Sequence, residues 1–199
     1  MKKKTNTAIL VATGVLVSSM AWASSSVLGF SESKNLSGMV FTLQGVGKKS
    51  VFFMDAFEVG YYQEQEKAAL DPLDNVAKHL EVRYFVDIPG QKLFSYNLSV
   101  MEDNYSKEEL LAVADEIRAL KEYYIDLKDG DSYKLTYIPG IGTRFEHNGN
   151  LKGVIQGERF AEILFSVWLG EKPFDRKIKE QILSLRNAPV EDNSINLGT

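Results

Sequence analysis

From Leu135 the chain reads LTYIPGIGTRFEHNGNLKGVIQGERFAEILFSVWLGEKPFDRKIKEQIL, and no other stretch narrows the possible folds as far. Pro139-Gly-Ile-Gly142 and Asn148-Gly149 are turn chemistry, since glycine and asparagine tolerate the positive φ that tight hairpins need. The segments they separate carry the aromatic and β-branched residues that suit strands. At Glu158 the period changes. Phe160, Ile163, Leu164, Val167 and Trp168 recur at helical spacing on one side. Gly170 stops that helix, Pro173 follows, and a short helix over 175–185 trails into a polar tail.

The rest of the chain fits the same architecture. Residues 39–62 predict a β-hairpin, with 39–43 and 51 onward as strands and Gly45–Ser50 as the turn. Over 78–88, Leu80, Val82, Tyr84 and Val86 point one way, while Glu81, Arg83, Phe85 and Asp87 point the other, a half-buried strand ended by Pro89-Gly90. Two amphipathic helices follow. In the first, Leu93, Tyr96, Asn97, Val100 and Met101 share a face; the second opens with the capping box Ser106-x-x-Glu109. Strands in runs with helices collected between them give an α+β fold, an antiparallel sheet with helices on one face.

The N-terminus reads as a targeting segment. Lys2, Lys3 and Lys4 precede an apolar stretch over 8–17, and Ala21-Trp22-Ala23 supplies a small-x-small cleavage pattern. The apolar part is shorter than the ~20 residues a membrane helix requires. Residues 1–23 are therefore expected to be a bacterial-type secretory signal cleaved near Ala23-Ser24, which gives a periplasmic protein with no integral membrane segment. The expected divisions are then a flexible polar lead-in over 24–37, one domain over 38–186 and a polar tail over 187–199. The chain carries a formal charge of −4 and no cysteine. An acidic chain without a Lys/Arg cluster argues against nucleic acid and anionic membrane surfaces. The absence of thiols removes disulfides, thiolate nucleophiles and zinc–thiolate sites.

Catalytic signatures are missing. The two histidines, His79 and His147, have no partner at metal-ligand spacing, so no metal and no cofactor is expected. Gly140-Ile-Gly142 lies between strands and reads as a hairpin, not a phosphate cradle. Asn35, Asn97 and Asn104 each begin N-x-S, which behind a bacterial signal carries no glycosylation reading. More informative are charges in strand-like surroundings: Lys49, Asp55, Glu58 and Arg83. Each must reach solvent, a partner, or a cleft that holds a polar ligand. Alternation alone puts Arg83 on a solvated face with Glu81 and Asp87. Alternatively Arg83 anchors a carboxylate bidentately, with Tyr96 and Asn97 adding hydroxyl and amide donors.

Three segments, KHLEVRYFVDIPGQKL, LTYIPGIGTRFEHNGNLKGVIQG and RFAEILFSVWLGEKPFDRKIKEQIL, resemble the chalcone isomerase-like superfamily, in its bacterial secreted branch. The resemblance spans residues 38–185. It implies an open-faced β-sandwich, in which a large antiparallel sheet is covered on one face by helices with a ligand cleft between. The family's enzymes close a chalcone ring using an Arg, a Thr, a Tyr, an Asn and a hydroxyl on the closing helix. In this sequence those positions fall at Lys49, at Asp55 or Ala56, at Leu93, at Val100 and at Ala161. The constellation is absent, so no catalytic residue is assigned. The resemblance also covers non-catalytic, fatty-acid-binding proteins. The expectation is a binding protein for a small amphipathic carboxylate, with Lys49, Asp55, Arg83, Tyr96 and Asn97 around the ligand. Two alternatives stay open: an isomerase of the intramolecular lyase type using Asp55 or Glu58 as base with Lys49 or Arg83, and a structural protein whose cleft is filled.

Overall fold

The computed structural model describes residues 26–187. The signal segment, its cleavage site and most of the polar tail lie outside those residues. Among the described residues there are nine strands: β1 (Ser26–Val27), β2 (Phe30–Ser31), β3 (Ser33–Leu36), β4 (Met39–Val51), β5 (Met54–Glu64), β6 (Lys78–Tyr84), β7 (Ser132–Ile138), β8 (Gly142–His147) and β9 (Asn150–Ile155). Strands β3 to β9 form one antiparallel sheet in sequential order. Helices α1 (Gly90–Asn104), α2 (Lys107–Leu111) and α3 (Ala114–Tyr123) are inserted between β6 and β7, and α4 (Glu158–Leu169) and α5 (Arg176–Ile182) follow the sheet. This is the expected α+β fold.

Strand alternation sorts the side chains. Phe57, Val59 and Tyr61 of β5, Leu80, Val82 and Tyr84 of β6, and Tyr133, Leu135 and Tyr137 of β7 join the inner faces of α1, α3, α4 and α5 in the main core. The opposite face carries a smaller cluster of Phe30, Phe41, Leu43, Tyr62 and Ala77. The segment read from sequence as a flexible lead-in is ordered from Ser26. Strand β3 pairs with β4, and Phe30 is fully buried. Gly60 makes room for it, since a Cβ there would sit 2.6 Å from the Phe30 ring.

The first hairpin differs from expectation in its turn. Gly45–Ser50 runs inside β4, and the reversal falls at Phe52-Phe53, between the paired residues Val51 and Met54. The glycines serve helix packing instead. A Cβ on Gly45 would lie 2.2 Å from the Gln181 carbonyl oxygen, and one on Gly47 would meet Ile178 and Ile182, so α5 reaches the sheet only over bare backbone. Turn and packing glycines look alike in sequence. At the true turn, Phe52 and Phe53 both take positive φ, 48° and 68°, a two-residue geometry that favours Asn-Gly. For bulky residues such a conformation costs on the order of 1–2 kcal/mol each.

The second helix predicted from sequence is two. The capping box forms as expected, with the Ser106 amide donating to Glu109 and the Glu109 amide to Ser106 Oγ. The chain then breaks at Ala112-Val113 before α3 begins.

Candidate ligand cleft

A cleft of about 490 Å³ opens between the ends of β5 and β6 and helices α1 and α4. Its lining follows from the patterns above. Alternation turns Phe57 and Tyr84 to the helix side, and Leu93, Tyr96 and Asn97 come from one face of α1. Trp168 lies in the last turn of α4, and Phe174 lies in the loop before α5. Phe57, Trp168 and Phe174 form an aromatic wall: Trp168 and Phe174 are 4.7 Å apart edge to face, and each is within 6 Å of Phe57. Val51, Ile88 and Pro89 complete the apolar surface. Behind it, a gap of about 20 Å³ sharing Tyr84, Asn97 and Trp168 leads toward Tyr133 and Phe145.

Polar groups in the cleft are few. Asn97 is buried and donates through Nδ2 to the Tyr124 hydroxyl at 2.7 Å. Tyr133 donates to the Tyr123 carbonyl and accepts from the Ile125 amide. Burial pushes the Tyr84 and Tyr124 phenols well above their ordinary range, so both stay neutral. Tyr84 makes no side-chain hydrogen bond among the described residues, which leaves its hydroxyl as an unused donor facing the cleft.

Two charges sit at the rim, Asp87 and Lys92. Asp87 is committed: Lys128 Nζ lies 2.7 Å from it and the Asp129 amide donates to it. Those contacts hold its carboxyl below the usual range. Lys92 has no side-chain partner among the described residues. It lies in the first turn of α1, where the helix dipole adds positive potential.

Of the five residues expected around a ligand, the structure brings only Tyr96 and Asn97 to the cleft. Lys49 is on the helix side of the sheet, but its ammonium is 2.6 Å from Asp175, which caps α5. Asp55 sits beside the exposed turn, held by Lys48 at 2.6 Å and by the Ser50 hydroxyl. Arg83 is on the far face of the sheet, stacked 4.0 Å from the Phe30 ring centroid and bonded to Glu81 and the Gly29 carbonyl. Arg83 shares the far face with Glu81, as alternation expects, but that face is not solvated there: Glu81 is buried and Phe30 covers Arg83, while Asp87 lies at the cleft rim. Glu58 pairs across β5 and β6 with Arg83 and also lies off the cleft. No carboxylate–cation pair among Asp55, Glu58, Lys49 and Arg83 therefore converges there. No cluster among the described residues suits a metal ion.

Sequence reasoning missed Lys92, Tyr84 and the aromatic wall. The wall left a trace, since Trp168 fell on a helix face read as apolar. Lys92 left none, being one of many exposed lysines.

A sheet with one helix-covered face, opened by an apolar cleft at one end, defines an open-faced β-sandwich. Residues 26–184 match the chalcone isomerase-like family, and the chain belongs to that family. Its fold is similar to that of the Arabidopsis thaliana fatty-acid binding protein AtFAP1, with TM-score 0.59 and 14% identity, covering 78% of this chain and 97% of that one. No curated protein sequence matches the chain. No helix among the described residues is long and apolar enough to cross a membrane.

Proposed function

We propose that this protein is a non-catalytic binding protein for a fatty acid or a similar amphipathic carboxylate, exported to the periplasm of a bacterium. The hydrocarbon chain lies along the Phe57–Trp168–Phe174 wall and the carboxylate sits at the rim against Lys92. The observation that carries this reading is the apolar cleft of about 490 Å³ with one cation at its mouth that is unpaired among the described residues. Its size falls within the ~300–1,000 Å³ usual for small-molecule sites. The fatty-acid binding of the structurally similar plant protein supports the ligand class.

Three facts weigh against catalysis. Asp87, the one carboxylate on the rim, is ion-paired and held ionised. Leu93, at the position where the family's enzymes carry a Tyr, lines the cleft with hydrocarbon. Val100 and Ala161, at the positions of the Asn and the closing hydroxyl, are buried apolar side chains. The open cleft weighs against a purely structural role.

Titration with a long-chain fatty acid, read by Trp168 fluorescence, tests the proposal. Saturable binding is expected, with Lys92→Ala weakening the acid about tenfold while leaving its methyl ester unchanged, the size of a charge-assisted contact. Equal affinity of wild type for acid and ester would remove Lys92 from the site, and no binding at all would end the reading. Export is tested separately, by fractionation and N-terminal sequencing of the mature protein, with Ser24 expected first.

A further inference from the structure

We propose that the Phe52-Phe53 turn inserts into a phospholipid surface and sets the cleft mouth against it, so that the ligand passes between bilayer and cleft by contact. This rests on the carrier reading above for its purpose, though not for its physical basis. Phe52 is 88% exposed and Phe53 fully so, flanked by the exposed Val51 and Met54. Four consecutive apolar residues at a chain reversal form a patch of the kind that marks an interaction site. Its shape selects the partner. Pairing of β5 with β6 begins only at Phe57, opposite Tyr84, so the hairpin end before it projects beyond the rest of the sheet. A protruding tip with two aromatic rings offers no groove for a helix or strand, whereas an interfacial layer accepts such a wedge.

Two further observations place the tip in a lipid-transfer role. Val51 lines the cleft and immediately precedes Phe52, and Phe57 of the same hairpin forms part of the cleft wall. A tip sunk in lipid therefore holds the cleft opening at the interface. The turn also keeps phenylalanine at two positive-φ positions, where Asn-Gly would be unstrained. Strain retained at an exposed position signals a use for the side chains. The cations beside the turn are already engaged, Lys48 with Asp55 and Lys49 with Asp175, and Lys92 at the cleft mouth is reserved for the ligand carboxylate, so the tip contact is apolar and does not call for anionic lipid.

The test is flotation of the purified chain with phosphatidylcholine vesicles, wild type against F52N/F53G, both carrying the same N-terminus. The double variant restores the preferred turn residues and so folds at least as well. Wild type is expected to float and the variant to lose about a hundredfold or more in partition, the scale of withdrawing two phenyl rings from an apolar phase. A Phe53→Trp chain is expected to show emission quenched by brominated lipid. Fatty-acid transfer is expected to speed up with vesicle concentration for wild type alone, while affinity in solution stays equal. Several results would overturn the proposal: equal flotation of both chains, no flotation of wild type, binding that needs phosphatidylglycerol and survives the substitutions, or a concentration-dependent dimer that the substitutions dissolve. Fatty-acid titration without vesicles separates the two readings. A chain that floats but binds no fatty acid keeps the tip and loses the carrier, and the converse keeps only the carrier.

Discussion

His79 is buried on the far face of the sheet, with Nδ1 2.7 Å from the Thr136 hydroxyl and Nε2 without a partner among the described residues. Burial, with Lys34 adding to it, pushes its pKa from 6.5 down to about 3. Its folded pKa is depressed, so as pH falls the unfolded chain takes up this proton first. The stability associated with a neutral His79 is complete above about pH 6.5 and declines between 6.5 and 3. At pH 5 the loss is about 2 kcal/mol. Urea unfolding at pH 7 and pH 5 is expected to show that extra loss in wild type and not in His79→Gln; equal losses in both would move the acid sensitivity elsewhere. Read from sequence, His79 is a strand histidine with no partner at metal-ligand spacing; the structure places it in the central strand β6, buried and bonded to Thr136. The orphaned nitrogen was not legible, because it depends on what lies across the sheet.

Among the elements, α5 shows how a motif can mislead. The GVGKKS stretch has turn composition, yet it runs through β4 because two hairpin positions were needed further on and two bare positions were needed under α5. Gly45→Ala places a methyl against the Gln181 carbonyl. It is expected to push α5 outward, to loosen the Lys49–Asp175 pair and to lower stability by about 2–3 kcal/mol, read as a shift in the urea midpoint. An unchanged midpoint would mean that α5 is not held through this approach. The N-terminal strands teach the converse. SSSVLGFSESKN has no periodicity, since strands of two to four residues are too short to display one. Their order comes from Phe30, which finds a socket only after Gly60, Tyr62 and Arg83 are assembled around it.

On the scale of the whole molecule, the cleft should couple ligand binding to stability. A fatty acid held at a hundredfold its Kd adds about 2.7 kcal/mol to the folded state. For a domain of this size that corresponds to roughly 5–10 °C in Tm, with a clearly smaller shift in Lys92→Ala at the same concentration. A calorimetric scan that shows no ligand-dependent rise in wild type would contradict a preformed site.

The sequence by itself determined the α+β class, the hairpins after Leu135, the α1 face bearing Tyr96 and Asn97, the Ser106 capping box and the family. Each of these is written in local periodicity, turn residues or contiguous motif. What only the tertiary structure decided is which charges meet the cleft. Lys49, Asp55 and Arg83 were equal candidates along the chain. The bulge in β4, the position of the turn and the register between β5 and β6 sent them to Asp175, Lys48 and Glu81 respectively. Lys92 was left at the mouth because Asp87, the carboxylate that shares its rim, is taken by Lys128. Partners of a charge are set by approach in space, and single-sequence patterning carries no term for that.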